Sequence, residues 1–137
     1  MERYQYTLKG IPVSLYMTTA INKRIWDTIK EATIISQIEI ERQHKDPIIQ
    51  EPIALKVTFY MPKRQFIAKK PSMRSYCNFI EKVLHDSIIP KYCYIYEMEY
   101  HRVLSDHNYR TEIQITRVNY DKIKSKRNET KSSNKAV

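Results

Sequence analysis

The apolar residues of this sequence recur at every second position in some stretches and at every third or fourth position in others. Alternation with polar residues predicts strands at 4–10, 53–61, 92–104 and 109–118. Helical spacing predicts one helix from about residue 20 to 42 and another from Ser75 towards Pro90. The predicted order is β-α-β-α-β-β, an α+β fold with a small mixed or antiparallel sheet and two helices on one face. We expect the last two strands to form a hairpin across the turn at 105–108.

Each predicted helix carries an apolar stripe that we expect to be buried against the sheet. The first stripe consists of Ile21, Ile25, Ile29, Ala32 and Ile35, and the second of Tyr76, Phe79, Ile80, Val83, Leu84 and Ile88. A chain of 137 residues suits one compact domain, which we place at 1–120. The polar residues 121–137 are predicted to be a disordered basic tail.

The sequence contains a single glycine, Gly10. Phosphate-binding loops of the Walker and dinucleotide-binding types need several glycines, so these classes of site are excluded. No apolar run approaches the ~18 residues that cross a bilayer, and the charged, alternating N-terminus does not resemble a signal peptide. We therefore expect a cytoplasmic protein without a membrane partner. Cys77 and Cys93 do not have the spacing of a zinc ribbon, and we interpret both as small buried hydrophobic residues.

The net charge of +9 is concentrated in two stretches. Residues 62–74, here called the basic segment, contain five basic residues and no acidic one: Lys63, Arg64, Lys69, Lys70 and Arg74. The tail at 121–137 contains six basic and two acidic residues, so the remainder of the chain is neutral. Concentrated positive charge of this kind indicates a polyanion partner, and we expect the basic segment to contact nucleic-acid phosphates.

A second functional pattern lies on the third predicted strand, where Glu97, Glu99 and His101 occupy alternate positions. Alternate residues of a strand share a face, and two carboxylates with an imidazole suit Mn²⁺ or Fe²⁺. Three such residues on one strand spread over about 13 Å, because a strand rises ~3.3 Å per residue. The alternative interpretation is a polar sheet face or a polar dimer surface. Tyr92, Tyr94, Tyr96 and Tyr100 share the other face of this strand, and we expect most of them to lie in the core. The alternative is a platform on which nucleic-acid bases stack.

Five stretches, taken in this order, resemble a known family. They are YTLKGIPVS at 6–14, IALKVTFYMPKR at 53–64, KKP at 69–71, FIEKVLHDSI at 79–88 and TEIQIT at 111–116. Together with the predicted element order, they resemble the RusA-type Holliday junction resolvases, small dimeric endonucleases of phage and prophage origin. The resemblance covers roughly residues 4–118 and implies a RusA-like fold, a homodimer and affinity for branched DNA.

The resemblance also implies a metal-dependent hydrolysis in which carboxylates hold Mg²⁺ or Mn²⁺. Lys82, four residues before Asp86, matches a helix lysine of the family that acts near the phosphate. The family's two aspartates before this helix fall on Tyr76 and Asn78, and its adjacent acidic pair falls on Tyr96 and Glu97. The catalytic candidates that remain are Lys82 and Glu97, and the metal candidates are Glu97, Asn78 and Glu99.

The resulting hypothesis is a RusA-like protein that binds branched DNA through the basic segment and has little or no cleavage activity. Two alternatives stay open. One is an active Mg²⁺- or Mn²⁺-dependent endonuclease that uses an altered site drawn from Glu97, Glu99, Asp86 or Glu112. The other is a protein-interaction module that retains the fold without enzymatic activity.

Overall fold

The computed structural model describes residues 3–15, 23–85, 87–90 and 95–118. These residues form four strands and three helices: β1 (Arg3–Lys9), α1 (Lys23–Gln43), β2 (Ile53–Met61), α2 (Lys63–Phe66), α3 (Met73–His85), β3 (Ile95–Leu104) and β4 (Arg110–Arg117). The α+β class and the mixed sheet are confirmed. The short helix α2, which lies inside the basic segment, was not predicted. The predicted tail at 121–137 lies outside the described residues.

The sheet has the order β1-β4-β2-β3, so the predicted hairpin between the last two strands is wrong. β4 runs antiparallel to both β1 and β2, whereas β3 is parallel to β2 and is separated from β4 by it. The connection at 105–109 passes over the end of β2, where the Ser105 N–H donates to the Met61 carbonyl over 3.0 Å. The five residues of this connection can span about 16 Å. Two strands with a third between them are ~9.6 Å apart, so the connection is long enough to pass from β3 to β4.

One face of the sheet forms the core. Alternate residues of β2, from Ile53 to Met61, are buried, and they pair with the buried Ile113 and Ile115 of β4. The helix α3 packs on this face, as shown by the rings of Phe59 and Tyr76, whose centroids lie 5.5 Å apart. The buried side of α3 consists of Tyr76, Cys77, Phe79, Ile80, Val83 and Leu84, as the sequence predicted. The remaining alternate residues of every strand therefore lie on the opposite, open face.

The helix α1 packs beside α3 and against β1, and it buries Ile29, Thr33 and Ile40. The predicted stripe is wrong at Ile35, whose side chain is 65% exposed. Successive helical residues are ~100° apart, so Ile35 lies about 200° around the helix from the buried Thr33. Its neighbours Ile34 and Ile38 are also exposed. None of the helices in the described part of the chain is long and apolar enough to cross a bilayer.

The outer edge of β1 is covered by the end of α1. The Gln43 side chain accepts a hydrogen bond from the Thr7 N–H over 3.0 Å and donates one to the Thr7 carbonyl over 2.8 Å. In this way a side-chain amide takes the place of a neighbouring strand at that residue. Nearby, His44 Nε2 lies 2.9 Å from the Pro47 carbonyl, so it must donate, and Nδ1 then accepts from the Tyr6 hydroxyl. Burial raises the pKa of Tyr6, which keeps this hydroxyl protonated as the donor.

We predict that Gln43→Leu lowers the free energy of unfolding by about 1–2 kcal/mol, because two hydrogen bonds of ~0.5–1.5 kcal/mol each are lost. Urea unfolding measures the change, and hydrogen exchange at the Thr7 amide should accelerate. The matched control is Gln50→Leu, since Gln50 is exposed in the α1–β2 connection. Equal destabilisation by both variants would contradict this account of the β1 edge.

Candidate nucleic-acid interface

The basic segment begins where β2 ends. Pro62 lacks an N–H and therefore cannot continue the strand ladder, and its φ of −65° is compatible with the helix that follows. The Pro62 carbonyl accepts hydrogen bonds from the amides of Gln65 and Phe66, which closes the single turn of α2. The five basic side chains of the segment are all exposed: Lys63, Arg64, Lys69, Lys70 and Arg74. None of these five forms an ion pair with a residue that the structure describes.

Arg102 of β3 attaches the basic segment to the sheet. Its Nη1 donates to the carbonyls of Phe66 and Ala68, each over 3.2 Å, and its Nε donates to the Met73 sulfur. The acceptors span the end of α2, the following loop and the start of α3, so a single guanidinium fixes all three. This role of Arg102 was not predicted from the sequence. The signal in the sequence that could have indicated it is the charge of Arg102, on a strand face that otherwise carries Met98, Tyr100 and Leu104.

The exposed side of α3 continues the basic surface. Arg74, Asn78 and Lys82 follow one another at four-residue intervals and are all exposed, so they lie along one side of the helix. The structure therefore brings the catalytic candidate Lys82 and the metal candidate Asn78 together with the basic segment. Asp86, which the sequence pairs with Lys82, lies outside the described residues.

Glu97 and Glu99 lie on the open face of the sheet. In the parallel pairing of β3 with β2, Glu97 is opposite Ala54 and Glu99 is opposite Lys56. Ala54 and Lys56 alternate with the buried residues of β2, so they and the two glutamates lie on the face away from α3. Both carboxylates are exposed, and Glu99 lies 3.2 Å from His101 Nε2, a contact that becomes an ion pair when the imidazole is protonated. The sheet thus separates Glu97 and Glu99 from Asn78.

The geometry of these donors does not favour the metal site implied by the resemblance. Asn78 is on the helical side, whereas Glu97 and Glu99 are on the open side, and a single ion cannot contact both sets. Among the described residues, no group of three or more His, Cys, Asp or Glu side chains is placed to hold a metal ion. We therefore derive no catalytic step through Mg²⁺ or Mn²⁺.

The open face also contains a polar cleft of about 330 Å³ over β1, β4 and β2. At one end, the Tyr60 hydroxyl donates to Glu112 over 3.2 Å, and the Arg110 guanidinium lies 3.7 Å from the Tyr60 ring centre. Arg110 also donates to Glu112 over 2.8 Å, and this hydrogen bond raises the pKa of Arg110. Tyr60, Arg110 and Glu112 thus satisfy one another at this end of the cleft, and Glu112 neutralises the positive charge of Arg110 locally.

The tyrosine side of β3 is less buried than predicted. Tyr100 is 47% exposed and Tyr96 is half-buried. The physical reason is that β3 forms the edge of the sheet, while α3 covers the neighbouring β2. Tyr92 and Tyr94 lie outside the described residues.

The prediction for Cys77 is confirmed, because its side chain is on the buried side of α3. Burial raises the pKa of the thiol to about 11, so the reactive thiolate is scarce at neutral pH. Cys77 is therefore a packing residue and not a nucleophile. Cys93 lies outside the described residues.

No protein-family model matches this sequence, and a search of curated proteins finds no match either.

We predict that Arg102→Met loosens the basic segment while leaving the sheet folded. Hydrogen bonds that involve a charged group contribute about 1.5–3 kcal/mol each. The variant loses the three hydrogen bonds of Arg102, so amide hydrogen exchange across 66–73 should rise well above that in β2. Hydrogen exchange read by mass spectrometry provides the measurement. Lys56→Met, an equal loss of charge on the exposed open face, is the control. Unchanged exchange across 66–73 in Arg102→Met would show that Arg102 does not hold the segment.

Proposed function

We propose that this protein binds DNA through the exposed basic segment and the adjoining side of α3, with a preference for branched DNA. One observation supports this proposal most strongly. Five cations are exposed on one short segment that contains no acid, and the half-buried Arg102 of β3 holds that segment in place. Lys82 adds a sixth positive charge on the same side of α3.

The physical basis is the release of counterions from the DNA backbone. Each phosphate that a lysine or arginine neutralises frees condensed cations, which stabilises the complex at low salt and weakens it as salt rises. Phosphate contacts of this kind carry little sequence information, which agrees with a protein that recognises the shape of DNA. The carboxylates of Glu97 and Glu99 lie on the other face of the sheet, where they do not oppose the phosphates.

The preference for branched DNA and the homodimer both come from the resemblance to RusA-type resolvases. Two copies would present two basic surfaces, which can contact two arms of a junction. The exposed isoleucines of α1, Ile34, Ile35 and Ile38, supply an apolar surface that a second copy of the chain can cover. The same isoleucines are the observation that favours the alternative of a protein-interaction module without DNA binding.

The proposal includes little or no cleavage of the bound DNA. The two aspartates that the family places before its second helix fall on Tyr76 and Asn78. Tyr76 is 1% exposed and contributes to the core, and Asn78 brings no negative charge. The alternative is a Mg²⁺- or Mn²⁺-dependent nuclease with an altered site on the open face. On that face Thr58 of β2 lies between His101 of β3 and Glu112 of β4, so an imidazole and a carboxylate flank the same strand residue.

We predict that replacing both Lys69 and Lys70 by alanine weakens DNA binding and reduces its salt dependence. The loss of two phosphate contacts should make the slope of log Kd against log salt shallower by about two. Fluorescence anisotropy with a four-way junction and a duplex, measured at several salt concentrations, provides both slopes.

The matched control replaces Lys30 and Lys45, which are exposed outside the basic segment. It removes the same charge and should change the slope much less. Equal effects of the two double variants would indicate a general charge effect and would argue against the basic segment as the binding surface. A wild-type chain that binds no DNA at low salt would favour the protein-interaction module.

We also predict that the bound four-way junction stays intact when Mg²⁺ or Mn²⁺ is added. Denaturing electrophoresis of an end-labelled junction detects cleavage on either strand. If cleavage occurs and Glu97→Ala abolishes it while Glu41→Ala does not, the nuclease with an altered site replaces the present proposal. Glu41 is a suitable control because it is an exposed carboxylate on α1.

A further inference from the structure

A pocket of about 400 Å³ lies between the basic segment and the chain that follows β1. Its apolar lining includes Ile11, Pro62 and Pro71, and its two charged lining residues are Arg64 and Lys70. Among the residues that the structure describes, no carboxylate lines it. The volume falls within the range of about 300–1,000 Å³ that is typical of small-ligand sites. The composition suits a ligand that combines a negative charge with a flat apolar ring.

Gln65 provides a further polar group in this lining. Its Nε2 donates to the Pro12 carbonyl over 3.3 Å. Its Oε1 is buried and accepts no hydrogen bond from any residue that the structure describes. A buried acceptor without a partner is unfavourable, and a ligand that brings an N–H donor would relieve it after a small rotation of the amide. Exocyclic amines and ring N–H groups of nucleobases are donors of this kind.

We propose that this pocket binds one unpaired nucleotide of the DNA. The phosphate contacts Arg64 and Lys70, and the base lies against Ile11, Pro62 and Pro71 with an N–H directed at Gln65. This inference rests on the proposed DNA-binding function and extends it, because it assigns the preference for branched DNA to a specific site. Bulges, and branch points whose base pairs have opened, expose unpaired bases, whereas a continuous duplex does not.

The test compares a duplex with the same duplex carrying a short bulge of unpaired nucleotides, each labelled for fluorescence anisotropy. Contact between the base and this apolar lining removes apolar surface from water, so the wild-type chain should prefer the bulged DNA by roughly ten-fold. Ile11→Ser removes an apolar wall, and Ala68→Phe places a ring in the space that a base would occupy, since Ala68 also lines the pocket. Both variants should reduce the preference to about two-fold or less.

The control is Ile48→Ser, because Ile48 and Ile11 are each 53% exposed and Ile48 lies in the α1–β2 connection. It should retain the full preference. Urea unfolding verifies that each variant is folded, and Ile11→Ser, which adds no bulk, serves as the second variant if Ala68→Phe is unstable. An independent measurement is the NMR titration of the wild-type chain with deoxyadenosine monophosphate. It should shift the Gln65 side-chain amide and the Ala68 backbone amide.

The outcomes separate the two proposals. If the wild-type chain binds duplex DNA with the expected salt dependence but the pocket variants behave like Ile48→Ser, the nucleotide pocket is wrong and the DNA-binding function stands. Titration shifts that map away from Gln65 and Ala68 have the same meaning. If the wild-type chain binds neither DNA nor the mononucleotide, both proposals are wrong.

Discussion

The burial of β2 between two neighbouring strands is the constraint on which the rest of the structure depends. Five alternate side chains of this strand, from Ile53 to Met61, are buried. Full burial of one such side chain stabilises the fold by about 1.5–3 kcal/mol. At the edge of the sheet several of these five side chains would be partly exposed, and part of that stabilisation would be lost. Passing the β3–β4 connection over the end of β2 costs far less, since each doubling of loop length costs only about 0.6 kcal/mol. The central position of β2 therefore determines the strand order, and the end of β2 determines where the basic segment begins.

The one-sided sheet also divides the charges of the molecule. Residues that alternate with the core positions form the open face, where Glu97, Glu99 and Glu112 lie beside Lys56 and Arg110. The basic segment extends from the end of β2 on the side of α3, and Arg102 reaches it from the core side of β3. A strand residue can contact only one side of the sheet, so the parity of its position decides which group of charges it joins. Arg102 and Glu99 differ by an odd number of positions and consequently serve opposite faces.

The parts of this fold that sequence analysis predicts are those controlled by local periodicity. The bounds of β2, the buried side of α3 and the sidedness of Glu97 and Glu99 all depend on spacing within one segment, and each agrees with the structure. Strand pairing is not local, because the partner of β4 depends on where β2 gains the most burial. The hairpin prediction was wrong for this reason. The exposure of Ile35 and Tyr100 has a similar origin, since each is apolar but lies where no described element covers it.

The position of Tyr76 bears directly on the resemblance to the resolvases. The proposed resemblance would place a family aspartate at this position, but the Tyr76 side chain is 1% exposed and packs against Phe59. A carboxylate in the same surroundings would lose its hydration, and its pKa would rise towards the neutral form, which is a poor ligand for Mg²⁺. Asn78, two residues further along α3, is exposed and would tolerate a charge, but one carboxylate there would still face the basic segment and not Glu97. The packing of α3 therefore disfavours the metal site that the resemblance implies, and single substitutions that introduce acids at these two positions would not assemble one. The DNA binding that we propose for the basic segment requires none of these acids, because the placement of its cations depends on the end of β2 and on Arg102.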